Sequence, residues 1–220
     1  MTAQKPHEAL SVPLAERIDY LMIIASMAGA DVVLASEETD KLRQLCRELE
    51  LPDSDAARVL TAAHSPTAKV ERHLDALASS PLRFTLLSDC LSLAYADGEY
   101  SKGERKEVHA LARALRIDDA QVSALEACVE ALRKAAEQEH TADHHRHVEN
   151  LAQRLTAVGI PVGIMATLSA VGLSSAGIST GAMALLMGLG IASGFGAVLG
   201  LSVGTVMGVK WLHDRVTGEE

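Results

Sequence analysis

The stretch ADGEYSKGERKEVHALARALRI, Ala96 to Ile117, decides the fold. Gly98 can take the left-handed conformation that ends a helix, and Ser101 stands three residues before Glu104, the spacing of a capping box that opens the next one. Val108, Leu111, Ala112 and Leu115 then recur on the one-sided pattern of an amphipathic helix. Shifting the chain against itself by 66 residues finds the pattern again. Leu21 meets Leu87, Ser26 meets Ser92, Ala28 meets Ala94, Ala30 meets Ala96 and Asp31 meets Asp97. The match continues from Glu38 and Glu104 through Leu45 and Leu111, Arg47 and Arg113, Leu49 and Leu115, to Asp53 and Asp119. Such self-similarity marks a duplicated unit.

Each unit reads as helix, acidic turn, helix, short break, helix. The first helices carry Leu21, Ile24, Ala25 and Ala28, and Leu87, Cys90, Leu91 and Ala94; the second carry Leu42, Leu45, Cys46 and Leu49 opposite the set already named. A further helix, about residues 68–78, bridges the units, with Pro66 and Pro81 at its ends. No stretch alternates long enough for a strand, and an aromatic content of 3% leaves little for a sheet core. The expectation is an all-α domain in which two similar units pack with pseudo-twofold symmetry. Cys46, Cys90 and Cys128 are isolated and odd in number, each on or near an apolar stripe, and read as buried, reduced thiols.

The string Ala96 to Arg105, followed by Val108, Leu111, Ala112, Leu115 and Ile117, resembles the signature of the tellurite-resistance TerB-like domain family. The resemblance covers about residues 14–134 and is strongest over 86–117. It implies an internally duplicated helical domain, usually without enzymatic activity, in membrane-associated stress and metal responses. It also implies divalent-metal binding by acidic residues at the inter-helix turns. The first turn departs from the pattern, because Asp31-Val32-Val33-Leu34 lacks the Gly and the second acid of Asp97-Gly98-Glu99.

Two clusters could hold a divalent cation, though none is required as a cofactor. Asp97, Glu99 and Glu104 could converge with Asp31 and Glu38 of the sister unit, an oxygen-rich set suited to Ca²⁺ or Mg²⁺. The competing reading is that Asp97 and Glu104 only cap helices. On a helix, His140, Asp143, His144 and His147 would share one face, at spacings suited to Zn²⁺ or Ni²⁺, or to sensing pH. The plainer reading there is a solvated linker helix.

Leu155 to Val209 is 55 consecutive residues without a formal charge. About 20 apolar residues cross a bilayer core, so the run suffices for two transmembrane helices with a turn near Ser174 to Gly181. Gly196, Gly200, Gly204 and Gly208 form one stripe, a surface for close helix packing against Gly159 and Gly163 of the first arm or against another copy. Arg146 and Arg154 before the run, and Lys210 and Arg215 after it, put both ends in the cytoplasm. Trp211 suits an interfacial anchor.

The expected division is a tail at 1–13, the TerB-like domain at 14–134, a His-rich helical linker at 135–154, the hairpin at 155–212 and a tail at 213–220. The N-terminal residues lack the apolar core of a secretory signal. The whole net charge of −9 falls within residues 1–150, which argues against nucleic acid as a partner. No nucleotide-binding loop, nucleophile elbow or other enzyme constellation is recognisable. The expected function is binding: an interaction domain at a bacterial inner membrane, self-associating through the glycine stripe and recruiting a cytosolic protein in a stress response. The alternative is a membrane-permeabilising effector whose helical domain restrains an insertable hairpin.

Overall fold

The computed structural model describes residues 12–28, 36–64, 70–94, 100–137, 153–161 and 204–218. The first unit is α1 (Leu14–Ala28), α2 (Ser36–Glu48) and α3 (Asp53–His64). The bridge is α4 (Val70–Leu77), and the second unit is α5 (Leu82–Ala94), α6 (Lys102–Ala114) and α7 (Asp119–Glu137). A last helix, α8, spans Gly204–Thr217. No strand occurs among the described residues, as the periodicity anticipates.

The backbone is alike at the two helix ends that the 66-residue shift aligns. Both α2 and α6 end in a reverse turn that returns N–H groups to the last carbonyls of the helix. Leu51 N–H donates to the Cys46 carbonyl at 2.9 Å, and its counterpart Ile117 donates to Ala112 at 2.9 Å. Glu50 N–H donates to Arg47 at 3.1 Å, and Arg116 to Arg113 at 3.1 Å. Glu50 and Arg116 themselves sit at φ of 50° and 56°, the left-handed position that closes a helix and that glycine usually fills.

The two first helices form the centre. Every residue from Tyr20 to Met27 of α1 and from Phe84 to Leu91 of α5 is buried, the all-round apolar contact of a helix enclosed by others. α1 packs against α3, α4, α5 and α8, while α5 also meets α6 and α7. The second helices contribute one stripe each, Leu42, Leu45, Cys46 and Leu49 on α2, and Val108, Leu111, Ala112 and Leu115 on α6, all buried. Polar ties fix the bridge and the first unit: His73 Nδ1 on α4 lies 2.6 Å from Asp19 Oδ1 on α1, and Arg17 donates to the Leu49 carbonyl at the end of α2.

Both ends of the charge-free run belong to this core. A single helical turn at 153–157 stops at Gly159, whose φ is 76°, and the Ile160 N–H returns to the Leu155 carbonyl at 3.0 Å. Leu155 and Ile160 are buried in the same cluster as α1 and α5, and Gln121 Nε2 on α7 donates to the Val158 carbonyl at 3.0 Å. Leu212 of α8 is fully buried in that cluster as well. The first arm expected as one helix from Leu155 is thus interrupted at Gly159, because a positive φ ends the helical hydrogen-bond ladder. The helix expected to end at Leu212 continues to Thr217 and packs on the domain. Among the described residues no helix is long and apolar enough to cross a membrane; 162–203 lie outside them.

Candidate functional site at the α6–α8 face

The start of α6 is built as the capping box requires. Ser101 Oγ accepts from the Glu104 N–H at 3.2 Å, and the Glu104 carboxylate accepts from the Ser101 N–H at 2.8 Å. Glu104 is therefore committed to holding the helix start. Its proposed companions Asp31, Asp97 and Glu99 lie outside the described residues, and Glu38 is placed only as a backbone position on α2. His140, Asp143, His144 and His147 also lie outside them. Among the described residues no three His, Cys, Asp or Glu side chains gather to hold a metal ion.

From that cap, α6 presents two dissimilar faces. Inward are Val108, Leu111, Ala112 and Leu115. Outward, Lys102, Arg105, Lys106 and His109 line an open hollow of about 320 Å³. Their spacing of three, four and seven residues sets them in one row on the helix. The Arg105 guanidinium stacks 4.7 Å from the centre of the Tyr100 ring and lies 3.6 Å from Glu126 of α7. His109 Nε2 is 3.5 Å from the same carboxylate.

α8 lies along the flank of α6. Burial pushes the Glu107 carboxyl of α6 above its ordinary value, His213 and Lys210 of α8 pull it down, and Asp214 and Glu104 push it up. His213 is itself nearly enclosed, with Nδ1 3.2 Å from Asp214 Oδ1. Of the proposed packing glycines, Gly204 and Gly208 fall on α8, in the four-residue row that leads to buried Leu212. Gly159 is the exposed turn residue described above, and Gly163, Gly196 and Gly200 lie outside the described residues.

The sequence reading missed two polar features. One is the basic row of α6, whose signal was present in the spacing of its cations but was masked by the acidity of the chain. The other is buried Asp89 on α5, which receives a hydrogen bond from the Tyr20 hydroxyl of α1 at 2.6 Å. Burial pushes both groups upward, and at Asp89 the Tyr20 bond opposes it. The lone acid in LRFTLLSDCLSLA was the available clue. The three cysteines are free and buried, as expected, and burial pushes the Cys46 thiol to about 11 and the Cys128 thiol to about 12.

No protein-family model, curated protein or solved structure matches the chain.

Proposed function

We propose that this chain is a membrane-anchored interaction protein: a duplicated helical domain on the cytoplasmic face of a bacterial inner membrane, held there by residues 162–203. One observation carries the reading. Leu155 and Ile160 before this segment and Leu212 after it are buried in a single core. A segment that leaves and re-enters one folded domain must cross the bilayer an even number of times or not at all. The 42 residues between 161 and 204 suffice for two crossings at roughly 20 residues each if the turn is about two residues long and lies near 182, later than the Ser174 to Gly181 turn the sequence suggests.

The domain's role in this reading is to bind a cytosolic protein, and the TerB-like resemblance supports a setting in membrane-associated stress responses, with a divalent cation as a candidate ligand of the acidic turns. Gly196 and Gly200 remain candidates for helix packing within the bilayer, between arms or between copies.

Fractionation of cells expressing the full chain, with a carbonate wash of the membranes, tests the anchor. Retention in the membrane is expected. Stable, monodisperse protein in the soluble fraction would overturn it in favour of an effector that stores its apolar segment.

A further inference from the structure

We infer that the basic row of α6, Lys102, Arg105, Lys106 and His109, docks on the anionic phospholipid headgroups of the bilayer beside it; this rests on the anchor reading above. The row departs from the rest of the molecule. The chain carries −9 overall, yet this exposed row contains three fixed cations and one imidazole and no acid. Of the nearby carboxylates, Glu104 is engaged in the helix cap and Glu107 lies beside α8, while Glu126 sits beneath Arg105 and His109 and offsets part of their charge, leaving Lys102 and Lys106 as the uncompensated cations. Lys102 and Lys106 have no hydrogen bond or ion pair among the described residues. Arg113 is exposed one turn beyond His109, and its Nε donates to the His109 carbonyl at 3.3 Å, extending the same row.

Position selects the lipid. α8 begins where the apolar segment ends and packs against α6. Lys210, close enough to Glu107 to act on its carboxyl, is six residues from Gly204, an axial rise of about 9 Å. A headgroup potential decays over about 8 Å at physiological salt. The cations of α6 thus stand beside the helix that leads out of the bilayer, about one decay length from its start, where each Lys or Arg adds at most about a fivefold preference for an anionic surface. They would turn this face of an otherwise acidic domain toward the leaflet and leave the acidic faces to the cytosol.

The test is amine-reactive labelling of the full-length protein reconstituted in vesicles of phosphatidylcholine alone or with one-third phosphatidylglycerol, read residue by residue by mass spectrometry. Lys102 and Lys106 are expected to label several-fold more slowly in the anionic vesicles at low salt, relative to Lys5 and Lys69, and to recover in 0.5 M salt. Lys102→Gln, which removes one positive charge, is expected to reduce the protection of Lys106 by up to about fivefold. Equal labelling in both vesicles, with the protein still membrane-bound, overturns the docking and leaves the anchor standing. Failure to stay with either vesicle overturns both. Equal protection by inorganic phosphate in an uncharged detergent assigns the row to a soluble anion and overturns the lipid.

Discussion

Asp89 and Tyr20 mark where the two duplicated central helices stop being alike. In the sister positions, 66 residues away, stand Ile23 and Leu86. The polar pair therefore joins α1 to α5 once, at full burial, with one Asp89 oxygen satisfied by Tyr20 and Oδ1 unpartnered among the described residues. The raised Asp89 value fixes the sign of its pH effect. The folded state holds the proton at pH values where the unfolded chain releases it. Stability from this group is thus complete below the ordinary value of 3.8 and is lost as pH rises through the folded value. Asp89→Asn should raise stability in urea unfolding at pH 8 by about 1–3 kcal/mol and change it little at pH 4. Tyr20→Phe should lower it at either pH, because it leaves the second carboxyl oxygen unpaired too. A difference between wild type and Asp89→Asn that did not grow with pH would contradict the buried, proton-retaining carboxyl.

At the scale of elements, the helix stops were more legible than the contacts. The 66-residue shift matched Leu49 with Leu115, and the structure places identical reverse turns there, with Glu50 and Arg116 both in the left-handed region. Both side chains are exposed, so replacing each by Gly relieves backbone strain and removes little else. Glu50→Gly and Arg116→Gly should each raise the thermal midpoint, by up to about 1 kcal/mol of stability, with nearly additive effects in the double variant. Gly159 is the converse case. Its φ is 76° and nothing lies within 4 Å of where a Cβ would stand, so the effect of Gly159→Ala is conformational and amounts to about 1–2 kcal/mol. The expected result is faster hydrogen exchange at Val158 and Ile160, whose amides close that turn. An unchanged exchange rate there, with altered oligomer size in detergent, would return Gly159 to the packing role its sequence suggested. The sequence concealed this boundary for a physical reason: Leu155, Ile160 and Leu212 are equally apolar whether they face lipid or a protein core. Hydropathy and the absence of charge therefore joined them to the segment they flank. The Ser101 cap was legible because its chemistry is local, needing only residues three apart; Asp89 was not, because its partner lies 69 residues away in sequence.

At the scale of the whole molecule, the described residues form one helical core to which both flanks of 162–203 contribute. Ile160 and Leu212 of α8 are buried in one core, and residues 162–203, outside the described residues, connect the two parts of the chain that carry them. If the segment resides in the bilayer, its side chains add nothing to the packing of α1, α5, α6 and α8. Replacing 162–203 with a flexible Gly/Ser linker of about 14 residues should then give a soluble, cooperatively folding protein. Its loop is about threefold shorter, which lowers the closure entropy and raises stability by about 1 kcal/mol. Leu212→Ala in that background should cost about 2–5 kcal/mol or release α8, since it opens a cavity where α8 enters the core. Urea unfolding of the pair measures both quantities. A replaced protein that loses cooperative unfolding would show instead that the apolar segment is part of the core in the folded state, the arrangement an effector storing its hairpin requires. Retained cooperativity, with loss of membrane retention in cells, would assign the fold to the helical domain and membrane residence to 162–203.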